Sequence, residues 1–497
     1  MSPQIFLYIA LGIYFAAMLF IGFIAWRKNQ GHEDYMLGGR KLHPGVAALS
    51  AGASDMSGWL MMGLPGAIYA AGLIEAWIAI GLTIGTFASW KLVAPKLRAY
   101  TEVSRNSITL PTFFENRLRD KSHIIRIVSS LVILVFFVFY VSSTMVSGGV
   151  FFENSFKGDY TVGALLVSGV TITYTLFGGF LGATFTDVVQ GLMLLAGLIF
   201  VPIVAAGVLG GPAETLNGIN EIAPERFDLF AGWGAGVGGT LLVIVSSLAW
   251  GLGYFGQPHI LVRYMALRSS HDAKVARRIG VTWTGLSLFF AVVAGFVGIA
   301  YFDASKQSPL ENPEVVVLQL AQILFHPLIA GFVLAAVLAA VMSTMSSQLI
   351  VCASAIVEDI FLVVKKTPPS DKVLLLFGKL GVLVVSVIAL ILALQRNDSI
   401  LQLVAFAWAG FGAAFGPLVL LSLYWRRLTR WGALAGMVTG SATVFIWKAM
   451  NTGLYELLPA FLVSMLTMVV VSMFTHSHNE EIEAEFTRTE EITTQPK

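Results

Sequence analysis

An all-α polytopic membrane protein is the fold class this sequence predicts, and three observations carry it. Only 12% of the 497 residues are charged and 56% are hydrophobic, against roughly 25% charged in an ordinary soluble domain. Apolar runs long enough to cross a bilayer recur from one end of the chain to the other. The basic residues fall almost entirely on alternate connections between those runs. The formal net charge of +2 gives no reason to expect a nucleic-acid partner. The single cysteine, Cys352, excludes an intramolecular disulfide.

Thirteen runs are predicted to span: 5–26, 44–70, 75–95, 125–152, 160–179, 186–209, 236–260, 279–302, 319–354, 373–394, 400–424, 432–450 and 454–474. The first has no basic segment before it and no small-residue cleavage site after it, so it is expected to be a retained span. The ninth is too long for one straight crossing and carries Phe325-His326-Pro327. Part of it is therefore expected as an extracellular helix. An odd number of spans puts the termini on opposite sides. With the N-terminus outside and the C-terminus cytoplasmic, only Lys157, Arg226, Lys306, Arg396 and Lys448 of the 31 basic residues fall outside. Residues 1–474 are expected to form a single transmembrane domain. The tail at 475–497 is rich in glutamate and is expected to be a disordered cytoplasmic segment. Its His476 and His478 are too few for a metal site.

The second run is anomalous. Ser50–Gly66 holds one carboxylate, Asp55, with three serines, four glycines and a proline. An ionisable group at membrane depth is costly and is rarely left facing lipid. Glycine and proline weaken a helix there, and the freed backbone groups are tolerated only beside protein or a wet cavity. An unwound turn near Ala53–Ser57 would release carbonyls beside Asp55, Ser54 and Ser57. Five runs later, Ser246–Pro258 repeats the pattern, Gly-rich and closed by a proline, with Trp250 and Tyr254 at its weak point. An offset of five reverses the orientation of the second copy. Interrupted helices at matching places in inverted halves point to a transporter's midplane site.

Sodium, a hard cation, takes oxygen ligands. In the ninth run Ala340, Ser343 and Thr344 share one helical face and offer two hydroxyls beside a carbonyl. Hydroxyls returned to the preceding turn are the competing reading of that face. Asp187, at the inner start of the sixth run, is either an interfacial residue favoured by the helix dipole or part of an inward ion path. Trp59, Tyr140, Trp250 and Tyr254 suit a compact amphipathic solute, and packing alone is the competing reading for Tyr140. No histidine or second carboxylate accompanies Asp55 and Ser57 in sequence, which argues against a membrane hydrolase.

The segments 37–40 (Leu-Gly-Gly-Arg), 50–60, 250–260, 338–344 and 407–417 resemble the sodium/solute symporter family, most closely its bacterial sodium/proline branch. The resemblance extends to about residue 474. It implies a LeuT-type core of two inverted five-helix repeats, at about 44–209 and 236–424, with extra helices at both ends. It implies a sodium site from the carbonyls of Ala53, Met56 and Ala340 and the hydroxyls of Ser343 and Thr344, with Asp55 as the carboxylate needed for sodium dependence. The proline pocket would draw on Ser57, Gly58, Trp59, Tyr140, Trp250, Tyr254, Gln257 and Pro258. Arg40 and Asp187 match positions linked with coupling and cytoplasmic ion release. Ser346 and Ser347, with Asp187, also resemble a second sodium site in sialic-acid relatives, which a proline transporter moving one sodium per solute is not expected to use. The implied activity is sodium-coupled uptake of L-proline by a non-enzymatic monomer in the bacterial cytoplasmic membrane, in contact with lipid. The alternatives are symport of a monocarboxylate, pantothenate or a sugar, or a transporter-like sensor.

Overall fold

The computed structural model describes residues 3–28, 37–230, 236–305, 309–364, 370–395 and 399–494. Of the charges used above for orientation, Lys306, Lys365, Lys366, Arg396 and Lys497 lie outside these residues.

The described chain is helical throughout, with one isolated bridge, Leu42 to Leu267. Helix α1 covers Pro3–Lys28, and α2 covers Pro44–Asp55. Pro44 fits the first turn of α2, where its missing N–H costs nothing, and the His43 ring accepts from Gly45 N at 3.2 Å. Then come α3 (Trp59–Ala71), α4 (Leu73–Val103), α5 (Leu110–Leu118) and α6 (Ile124–Phe156). Next, α7 (Tyr160–Leu176) and α8 (Gly179–Val208) are split at Gly179. There φ is 59° and ψ is −158°, a conformation open only to glycine. A short α9 (Pro212–Ile222) precedes α10 (Gly236–Ala249), α11 (Pro258–Met265) and α12 (Ala273–Ala304). The last set is α13 (Val316–Leu324), α14 (Pro327–Ser354), α15 (Asp371–Ala393), α16 (Ile400–Tyr424), α17 (Arg430–Met450), α18 (Leu457–Thr475) and α19 (Glu480–Thr494).

Among the described residues, eleven helices are long and apolar enough to cross a membrane. The remaining expected crossings are interrupted. The second run falls into α2 and α3, and the fifth, α7, passes into the sixth at Gly179. The ninth breaks at Phe325-His326, where the His326 ring accepts from Leu328 N and Pro327 opens α14. The outer helices keep large apolar side chains exposed, among them Phe20, Ile388, Ile446 and Leu466. In water such a surface would aggregate, whereas in lipid it is the required one. Helices α14 and α16 are buried along most of their length and form the centre of the bundle.

Two features depart from expectation. The seventh span does not end at 260: it restarts at Pro258 and carries Arg263, expected in an inside loop, into the interior at 1% exposure. The acidic tail, expected to be disordered, forms α19. Its Glu481 and Glu485 pair with Arg119 at 2.9 and 2.8 Å, and Glu483 and Glu490 pair with Arg426 at 2.6 and 3.3 Å. Phe486, 3% exposed, lies 5.3 Å from the Tyr100 ring and 4.6 Å from the Arg117 guanidinium. A glutamate-rich segment is solvated by itself. Here basic groups distant in sequence neutralise it and an aromatic anchor seats it. Phe486→Ala removes that anchor, worth on the order of 3 kcal/mol for a buried Phe. The expected result is faster tryptic cleavage at Arg488 than in the parent, read on gels of purified protein.

Candidate ion and solute site

The helix of α2 ends at Asp55, and Met56 leaves helical geometry with φ −79° and ψ 75°. Met56 N still donates to Gly52 O at 2.9 Å, while Ser57 N turns back to Asp55 O at 2.9 Å. The chain resumes as a wide turn over Trp59–Gly63. Gly58 is required at the break, because a Cβ there would overlap the Ser147 side chain of α6. The second interruption has the same layout: α10 tightens into a narrow turn over Trp250–Phe255, opens at Gly256 and Gln257, and restarts at Pro258.

The two breaks meet. Tyr254 donates its hydroxyl to Asp55 Oδ2 at 2.6 Å, so a phenol of the second break holds the carboxylate of the first. Asp55 is fully buried, and its Oδ1 has no partner. The Asp55 carbonyl accepts from Trp59 Nε1 at 3.0 Å and from the Tyr140 hydroxyl at 3.2 Å. Tyr140 thus touches the unwound segment.

Helix α14 closes the opposite side. Ser343 Oγ donates to Ala53 O at 2.8 Å and to Ala340 O at 3.0 Å. Thr344, one residue on and 0% exposed, has an unpartnered hydroxyl. A buried hydroxyl left without a partner costs about 1–3 kcal/mol. Carbonyls, hydroxyls and one carboxylate are a donor set for a hard cation. Among the described residues no three His, Cys, Asp or Glu side chains gather as metal ligands.

The aromatic groups form a cage above the break. The ring of Trp59 is 6.2 Å from that of Trp250, which stacks on Tyr455 at 5.3 Å. Trp408 of α16 meets Tyr254 edge-on at 5.2 Å and donates Nε1 to Trp250 O at 2.8 Å. Gln257 Nε2 donates to Trp408 O at 3.1 Å, leaving its Oε1 unpartnered. Ser57 Oγ faces Trp59 N at 3.4 Å. Pro258 borders a cavity of about 30 Å³ shared with Phe180, Val262 and Asp359.

Two expected residues lie elsewhere. Arg40 sits in a left-handed turn before α2 and donates to Thr101 Oγ1, Met265 O, Asn106 Oδ1 and Ser107 O at 2.5–3.0 Å. It ties the start of α2 to the ends of α4 and α11, not to the break. Asp187 of α8 is fully buried. Its Oδ2 accepts from Ser50 at 2.6 Å, from Arg263 Nη2 at 3.1 Å and from Ser347 at 3.4 Å. It is the centre of an ion pair, not an interfacial residue.

The family model described as the Sodium:solute symporter family matches residues 35–440. The chain belongs to this family. Among symporter-family relatives, the high-affinity proline transporter PutP of Bacillus subtilis is 51% identical over 94% of this chain and 98% of its own length. The sodium/proline symporter of Escherichia coli is 49% identical over 93% and 91%. The solved structure of a sodium-coupled sialic acid symporter, described as substrate-bound and outward-open, superposes with a TM-score of 0.80 at 20% identity, covering 94% of this chain and 98% of that one. Mhp1, a nucleobase-cation-symport-1 family transporter, reaches 0.54 at 13% identity over 93% and 99%. The fold is accordingly the LeuT type.

Trp408, Tyr455, Ser50 and Arg263 were not singled out as site residues from the sequence. Trp408 had a signal, since it lies in the Gly-rich segment 407–417. Tyr455 had none, for it precedes α18 in an ordinary connection.

Proposed function

We propose that this protein couples the inward movement of sodium to uptake of L-proline, as a symporter of the bacterial cytoplasmic membrane. The observation that carries the proposal is the unwound turn at Met56–Ser57. It sets Ala53 O against Ser343 on one side and the Asp55 carbonyl against Trp59 and Tyr140 on the other. One break thereby serves a cation and a solute together. Relatives near 50% identity over nearly the whole chain are named as proline transporters, which supports proline as the solute.

In this scheme sodium lies between the carbonyls of Ala53, Met56 and Ala340 and the hydroxyls of Ser343 and Thr344, with Asp55 setting the local potential. Proline fits against Ser57, Gly58, Trp59, Tyr140, Trp250, Tyr254, Gln257 and Pro258. The rings cover its pyrrolidine, and the free polar groups take its carboxylate and amine. Bound sodium joins α2 to α14 and completes the solute pocket, so each ligand favours the other by the same free energy. The N-terminus lies outside and α19 in the cytoplasm. Inward sodium movement supplies roughly 2.3 kcal/mol per charge for each 100 mV, in addition to its concentration gradient.

The test is uptake of radiolabelled L-proline by proteoliposomes with and without an inward sodium gradient. Accumulation above equilibrium only with the gradient, resistant to excess pantothenate, monocarboxylate and sugar, is expected. Displacement of proline by one of those solutes at lower concentration would reassign the substrate.

A further inference from the structure

Arg263 has no part in the scheme above, and its surroundings give it one. On α11, at 1% exposure, its Nη2 donates to Asp187 Oδ2 of α8 at 3.1 Å and to Ser347 Oγ of α14 at 2.6 Å. Its Nε donates to Ser50 Oγ of α2 at 3.1 Å, and its Nη1 to the His259 carbonyl at 2.7 Å. The guanidinium carbon lies 5.2 Å from the centre of the Phe180 ring. Four helices converge on one positive charge.

Without that charge, what remains is a carboxylate, two hydroxyls and a carbonyl, an all-oxygen set suited to a hard cation. Asp187 Oδ1 is buried without a partner. Gln348, beside Ser347 and 0% exposed, has neither amide atom paired. A carboxylate stripped of its counter-charge in such a place is strongly destabilising, so the set demands a cation. We infer that Arg263 is a tethered cation that fills a second cation site, formed by Asp187, Ser50, Ser347 and the His259 carbonyl, and so spares the transporter a second mobile sodium. The inference rests on the sodium-coupled reading above. It also gives a physical reason for Asp187 and Ser347 to hold no further ion: a guanidinium already stands there.

The test compares wild type, Arg263→Lys and Arg263→Gln in proteoliposomes. It reads initial proline uptake against sodium concentration, together with equilibrium binding of radioactive sodium to the purified proteins. Wild type and Arg263→Lys are expected to show hyperbolic activation and about one bound sodium per chain, whereas Arg263→Gln turns sigmoidal with a Hill coefficient of about 2 and binds about two ions. Hyperbolic activation with one bound ion in Arg263→Gln overturns the inference. So do two bound ions in wild type, a result that needs no variant and holds even where Arg263→Gln does not fold. Wild-type uptake indifferent to sodium is a separate failure, that of the transport reading itself.

Discussion

Asp55→Asn is expected to raise the sodium concentration for half-maximal proline uptake by about two orders of magnitude. A full negative charge close to a monovalent cation contributes on the order of 3 kcal/mol at an effective dielectric constant near 20, or roughly 100-fold in affinity. The asparagine keeps an oxygen able to accept from Tyr254, now bonded to Oδ2 at 2.6 Å, so the tie between the two breaks survives. The loss then falls on sodium rather than on folding. Proline affinity measured at saturating sodium should recover most of its parent value. Sodium activation curves for parent and variant, recorded at the same protein density in proteoliposomes, check both halves of this expectation.

Thr344→Val is the second large effect, and its contrast with Ser343 is informative. Ser343 already spends its hydroxyl on Ala53 O and Ala340 O. Thr344 Oγ1 is buried with no protein partner. Removing it takes no hydrogen bond from the fold and keeps the volume nearly constant. On the proposed sodium assignment it also deletes one bond to a charged ligand, worth about 1.5–3 kcal/mol. Half-saturating sodium should rise by roughly 10- to 100-fold, with the melting temperature in detergent unchanged or slightly raised. Ser343→Ala should lower both sodium affinity and melting temperature, since its hydroxyl links α14 to α2. Parallel thermal melts and sodium titrations separate these two patterns.

Much of the candidate site stands out in the sequence because its chemistry is out of place in an apolar span. Asp55 among glycines, Trp250 and Tyr254 before Pro258, and Ala340, Ser343 and Thr344 on one face each break a local rule, and the structure assembles these three places at one point. What escaped detection had no such local contrast. Arg263 follows the second break closely enough to pass for a cytoplasmic loop charge, because the positive-inside rule counts charges without knowing their depth. Only the fold brings Asp187, Ser50 and Ser347 around it. The tail reads as disordered from its glutamates, whose partners Arg119 and Arg426 lie far away in sequence. Trp408 and Tyr455 join the aromatic cage through α16 and the connection before α18, and helical periodicity carries no information about which neighbours such rings meet. The break at Gly179, where φ is 59°, by contrast falls at the predicted end of the fifth run.

Coupling at the break between α2 and α3 is the central claim, and co-transport in one preparation tests it most directly. Radioactive sodium influx into proteoliposomes should depend on external L-proline and rise with it in fixed proportion, and Thr344→Val should reduce both fluxes together at limiting sodium. Sodium influx unaffected by proline, or proline accumulation that persists without a sodium gradient, would contradict it.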